Sequence, residues 1–172
     1  AIAGAGITEI TQAAAASAYD FADIASTGGV SITFSTGGVL APATDLGTAT
    51  LEIVVDETLT ATAAQLTGKT LTGAGSAALT GARATTAYDF SLLTPGSGLS
   101  VTYSNGGTLS PDTVLGTAAL TIAAGQTLAT TAAQLTGRSV DGDGGVQMAG
   151  ASATTAYDFA DITALGGILV AY

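Results

Sequence analysis

The chain has no cysteine and no histidine among its 172 residues. The first absence excludes disulfide staples and thiolate metal sites. Together they exclude Ser-His-Asp and Cys-based nucleophiles. Basic side chains are nearly missing too: Lys69, Arg83 and Arg138 stand against 13 acidic residues, for a formal charge of −10. Binding to phosphate backbones relies on clustered Lys and Arg that release counterions, so neither nucleic acid nor an anionic membrane is an expected partner. The acidity suits solubility outside a cell or weak divalent-cation binding, and the lack of cysteine is compatible with export. No apolar run reaches the roughly 18 residues that span a bilayer, so no membrane insertion is expected. The opening Ala1-Ile2-Ala3-Gly4-Ala5-Gly6 lacks an initiator Met and a basic flank, so it does not read as a signal peptide. It reads as repeat interior, and the chain is expected to be a processed product or an excerpt.

What the chain does have is a period. Ala18-Tyr19-Asp20-Phe21 returns as Ala87-Tyr88-Asp89-Phe90 and as Ala156-Tyr157-Asp158-Phe159, with a constant step of 69 in the numbering. Leu46-Gly47-Thr48-Ala49 and Ala63-Ala64-Gln65-Leu66-Thr67-Gly68 recur with the same step. The units are 1–69, 70–138 and the half unit 139–172, with no insertion between them. A fixed period marks an array in which each unit buries its apolar face against the next. One continuous body over 1–172 is therefore expected, an all-β solenoid of about seven to eight coils. Each repeat divides into three coils of about 23 residues, and at roughly 4.8 Å per stacked strand the rod is on the order of 36 Å long. Tandem β-sandwiches are the rival fold; a repeat of this size is short for such domains, which run to about 100 residues.

Hydrophobic residues make up 47% of the chain, but much of that is Ala, and 24 residues are Gly. The core must be thin and closely stacked. Val30-Ser31-Ile32-Thr33-Phe34, Leu99-Ser100-Val101-Thr102-Tyr103 and Ile168-Leu169-Val170-Ala171-Tyr172 alternate with period two, the mark of a half-buried strand. Residues 30, 32 and 34 and their equivalents should point inward. Leu51, Ile53, Leu120 and Ile122 form a second inward row, with Leu59, Leu66, Leu128 and Leu135 on later turns and Ile2, Leu71, Val140, Ile10, Leu79 and Met148 in the first segment. Alanine-rich stretches such as Ala61–Leu66 leave room for one helical turn per unit.

The nine aromatics fall on three repeat phases: Tyr19, Tyr88 and Tyr157; Phe21, Phe90 and Phe159; Phe34, Tyr103 and Tyr172. They read as the bulky fillers of an alanine-rich core, because rings bury large areas. A glycan-binding strip is the competing reading. The recurring Asp20, Asp89 and Asp158 follow the array, whereas an active site usually breaks it, so no enzyme is expected. Asp141-Gly142-Asp143-Gly144-Gly145 interrupts the pattern once. Asp141 and Asp143 are candidate calcium ligands there, against the reading of a solvated acidic turn; no other cofactor is expected. Abundant Thr would suit an ice-binding face, yet that needs aligned Thr on every coil, and the three segments differ. β-Propensity accounts for Thr without it.

The run Thr62–Gly75, followed by Leu79-Thr80-Gly81 and Tyr88-Asp89-Phe90, resembles repeat regions of large bacterial surface and secreted proteins, whether adhesin-like, haemolysin-like or surface-layer-like. The resemblance covers essentially the whole chain and implies an extracellular or cell-surface β-solenoid with no catalytic residues to carry over. Solenoid ends present strand edges that template further pairing. The expected function is structural: a subunit of a homopolymeric filament or array, self-associated end to end by strand stacking. The alternative is an adhesin stalk that contacts a glycan, calcium or a cell surface.

Overall fold

A computed structural model describes residues 2–172. The first copy of the repeat folds into β1 (Ile2–Gly4), β2 (Thr8–Ala14), β3 (Ile24–Ser26), β4 (Val30–Thr36), β5 (Gly38–Val39), β6 (Thr50–Ile53) and β7 (Thr58–Thr62). A single helical turn, α1 (Ala63–Leu66), closes it. The second copy contains β8 (Thr70–Gly73), β9 (Ser76–Arg83), β10 (Leu99–Asn105), β11 (Gly107–Thr108), β12 (Ala119–Ile122) and β13 (Thr127–Thr131), then α2 (Ala132–Leu135). The half copy supplies β14 (Val140–Asp141), β15 (Gly145–Ala149) and β16 (Ile168–Val170).

The strand pairings are parallel, and each joins one coil to the next. Sheet one has the order β2-β4-β6-β8, sheet two β14-β12-β10-β9-β7-β5, and sheet three β11-β13-β15-β16, with β1 paired to β3 beside them. The result is a β-solenoid of about eight turns. Pairing crosses both boundaries between copies: Leu51 lies against Leu71, Leu59 against Ala77, and Leu120 against Val140.

Alternation explains the core. In β4 the buried residues are Val30, Ile32 and Phe34, and in β10 they are Leu99, Val101 and Tyr103. Stacking then aligns Ile32, Leu51 and Leu71 into one inward column. All three are fully buried, each side chain contributing about 1.5–3 kcal/mol by leaving water. One buried cluster runs from Ala13 to Ala164. The third inward row departs from expectation. Ile168 and Tyr172 are exposed and Val170 is only half-buried, because β16 is an edge strand with no coil laid over it among the described residues. Ile2 is exposed at the opposite end.

Three coils make one repeat along a seam at the Tyr-Asp-Phe triplets. Asp20 bridges Asp45, and further along the Gly68 N–H donates to the Asp89 carbonyl. Asp89 is the repeat equivalent of Asp20, so the seam completes its period there. The strand columns climb faster. Sheet two passes through Gly38, Leu59, Ala77 and Leu99 in three coils, and stops eight positions short of Gly107, the repeat equivalent of Gly38. Sheet one shows the same lag: it passes through Ile10, Ile32, Leu51 and Leu71 in three coils and stops eight positions short of Leu79, the repeat equivalent of Ile10. Each three-coil path contains one eight-residue segment, from Gln12 to Tyr19, Gly81 to Tyr88 or Gly150 to Tyr157, whose first residue has φ of 61° to 70°. At Gln12 and Gly81 this residue forms a bulge, after which pairing resumes as far as Ala14 and Arg83. Every copy therefore starts one sheet further round than the last. β2 lies in sheet one, its equivalent β9 in sheet two and β15 in sheet three.

Candidate functional site

The recurring triplet forms the most regular side-chain constellation. Residues two apart on extended chain share a face, so Tyr and Phe of each triplet turn inward together and stack. Ring centroids lie 5.2 Å apart for Tyr19 and Phe21, 5.4 Å for Tyr88 and Phe90, and 5.6 Å for Tyr157 and Phe159, with interplanar angles of 21°, 12° and 6°. Each Tyr hydroxyl accepts from the backbone N–H five residues before it, at Ala14, Arg83 and Ser152, at 3.3 Å. The hydroxyl thus ties the end of the eight-residue segment back to the strand before it. Phe21, Tyr88 and Phe90 are buried, while Tyr19, Tyr157 and Phe159, nearer the ends, are half-buried. Phe34 and Tyr103, like Phe90, are fully buried, and Tyr172 is exposed.

The aspartate between the rings points outward and folds back. Asp20 Oδ1 accepts from the Ala22 N–H, Asp89 Oδ1 from Ser91, and Asp158 Oδ1 from Ala160, at 2.9–3.1 Å. This is an Asx turn, which satisfies a backbone donor where the chain leaves the seam. Asp89 also accepts from the Ser91 hydroxyl at 2.6 Å, and those two bonds hold its carboxyl below the usual carboxylate range. The three triplets lie on different coils, and each is occupied with its own turn. No arrangement of paired acid and base arises from them.

Side chains that bridge coils are the second recurring feature. Gln65 Nε2 reaches the Ala41 carbonyl and Gln134 Nε2 the Ser110 carbonyl, at 3.1 and 3.2 Å. Each Gln also completes a capping box with Thr62 or Thr131. Lys69 Nζ donates to the Gly47 carbonyl, and Arg138 Nη1 to Gly116 at 2.8 Å. Two of the three cations thus hold backbone oxygens, and burial pulls the Arg138 pKa down. The Gly37 N–H donates to Glu57 Oε2 at 2.6 Å and the Gly106 N–H to Gln126 Oε1 at 2.7 Å. Sequence reading did not single these residues out. The Thr-x-x-Gln spacing of the capping box was the one available signal, whereas bridges between coils depend on which residue stacks on which.

Asp141 ends β14 and Asp143 follows in the turn to β15, both exposed or nearly so. No group of three or more acidic side chains converges among the described residues, so a cation at this turn would rely on these two carboxylates and on backbone carbonyls. A concavity lies elsewhere: a cleft of about 430 Å³ on sheet three, walled by Leu109, Pro111, Ala129 and Ala149, with Gln134 and Gln147 at its polar edge. It contains no charged side chain. Among the described residues no helix is long and apolar enough to cross a membrane.

No family model, curated protein or solved structure matches the chain. Its geometry defines its class as a repeat-built parallel β-solenoid.

Proposed function

We propose that this chain is a structural element of an extracellular or cell-surface assembly of the kind found in large bacterial surface proteins. In this reading it is a rod that joins copies of itself end to end by strand stacking. One observation carries the reading: the parallel ladders run without interruption from copy to copy and, among the described residues, finish in unpaired edges fringed by exposed apolar side chains. Ile2 and Ile7 lie at one end, and Leu165, Ile168, Leu169 and Tyr172 at the other. Open edges of this kind recruit further strands, and a head-to-tail contact that does not close on itself yields a filament. The acidic surface keeps single rods soluble and makes their association dependent on salt.

The test is negative-stain microscopy and light scattering of the purified chain over a range of concentrations, with and without chelator. Filaments that lengthen with concentration are expected. Ile168→Lys, on an exposed edge position, should abolish them while circular dichroism stays unchanged. A particle that remains monodisperse at every concentration would remove the filament reading. A ligand-bearing stalk would then be favoured, with the uncharged cleft on sheet three as the place to look. Chelator-sensitive filaments would bring calcium at Asp141 and Asp143 into the assembly; indifference to chelator would remove it.

A further inference from the structure

Asn105 is the only asparagine in the chain, and glycine follows it. It ends β10, exposed to solvent, in register with Arg83 of the coil below. We propose that Asn105-Gly106 is a latent succinimide-forming modification site, held closed by the side chain of Gln126 from the next coil.

The reaction needs no partner but water. The Gly106 backbone nitrogen loses its proton and attacks the Asn105 carboxamide carbon; the new C–N bond closes a five-membered imide as the side-chain nitrogen leaves as ammonia. Water then opens the imide at either carbonyl, giving aspartate or isoaspartate. Glycine offers no side chain to obstruct the attack. Two features of the fold oppose it. The extended backbone of a strand holds the carboxamide carbon away from the next nitrogen. The Gly106 N–H is also engaged, donating to Gln126 Oε1 at 2.7 Å, and this bond must break before the peptide plane can rotate into the reactive geometry. The first copy keeps the same restraint with Glu57 on Gly37, but Thr36 stands in place of the asparagine and nothing can react. The outcome matters for the fold, because isoaspartate inserts a methylene into the main chain where β10 meets its ladder.

Wild type, Gln126→Ala and Gln126→Glu would be incubated at mildly alkaline pH, and the amide-to-acid mass change mapped by peptide fragmentation. The change is expected at Asn105 in all three, about five- to tenfold faster in Gln126→Ala, the factor that one lost hydrogen bond corresponds to. Gln126→Glu, which restores the first copy's acceptor, should react at the wild-type rate. Wild type in urea gives the unrestrained rate, and the folded protein should fall at least about tenfold below it. A folded rate equal to that in urea, a Gln126→Ala rate equal to wild type, or a change that maps away from Asn105 would each overturn the proposal.

Discussion

Tyr103 shows how small a difference between copies can matter. Its ring fills the place that Phe34 fills in the first copy, and both are fully buried. The hydroxyl, however, is a buried side-chain polar atom without a hydrogen-bond partner. Burial, and then the neighbouring Tyr88, push its pKa far above the ordinary tyrosine range. A group raised on folding contributes stability below its unfolded pKa and loses it as pH rises, so Tyr103 adds to alkaline destabilisation. Tyr103→Phe is expected to stabilise the chain by about 1 kcal/mol and to flatten that alkaline loss, read by urea unfolding at neutral and alkaline pH. Gln12 holds a left-handed φ of 61° where the other copies have Gly81 and Gly150. Gln12→Gly should therefore gain about 1 kcal/mol in the same assay, because a side chain at positive φ crowds the carbonyl. Asp89 is opposite in sign to Tyr103: its lowered pKa contributes stability above the unfolded carboxyl value, lost as pH falls through the folded one. Ser91→Ala removes the larger cause, and a carboxyl titration by NMR should find Asp89 moved up toward the ordinary range. An unmoved titration would deny the hydroxyl its role.

At the scale of an element, coils are kept close by what glycine lacks. Gly73 ends β8 with φ of 104°, and a Cβ there would drive into the Ile53 carbonyl of the coil beneath. Gly142 stands in the same relation to Ile122. Gly73→Ala should cost about 2 kcal/mol or more, combining backbone strain with steric conflict, visible as a lower urea midpoint at unchanged slope. The two helical turns are far too short to persist alone. Buried Ala63, Leu66, Ala132 and Leu135 anchor them, and one glutamine each ties the turn to the coil below. Gln134→Ala removes the Ser110 bridge and half the capping box, and about 2 kcal/mol of loss is expected from the hydrogen bonds involved.

For the whole molecule, each coil touches only its neighbours, so stability is a sum of nearest-neighbour contacts along the axis. Leu71→Ala, in the middle of an inward column, should cost about 2–5 kcal/mol. Hydrogen exchange should show the loss concentrated in β6, β8 and the Leu93 bridge and fading toward β16. Uniform loss across the chain would mean a globally cooperative body instead. The drift of each copy by one sheet also means that equivalent surfaces face different directions. A lattice partner would then see a different part of the repeat at each level, which suits a rod that joins through its ends better than one that displays a single repeated face.

Much of this was legible in the residues, because the period of the repeat and the two-residue alternation are themselves geometric statements. A period demands like contacts between units, and alternation at Val30–Phe34 or Leu99–Tyr103 sets which atoms face inward. Three coils per repeat follow from the division of each unit into three segments of about 23 residues, each joining a short apolar strand to turns. Tertiary structure alone decided which strand lies on which. The ladders climb faster than the repeat, falling eight residues behind it in every three coils. That lag places β2, β9 and β15 in three different sheets. Hydrogen bonds between coils depend on that stacking. Composition therefore could not disclose that Gln126 guards Gly106, or that the Tyr103 hydroxyl has no partner.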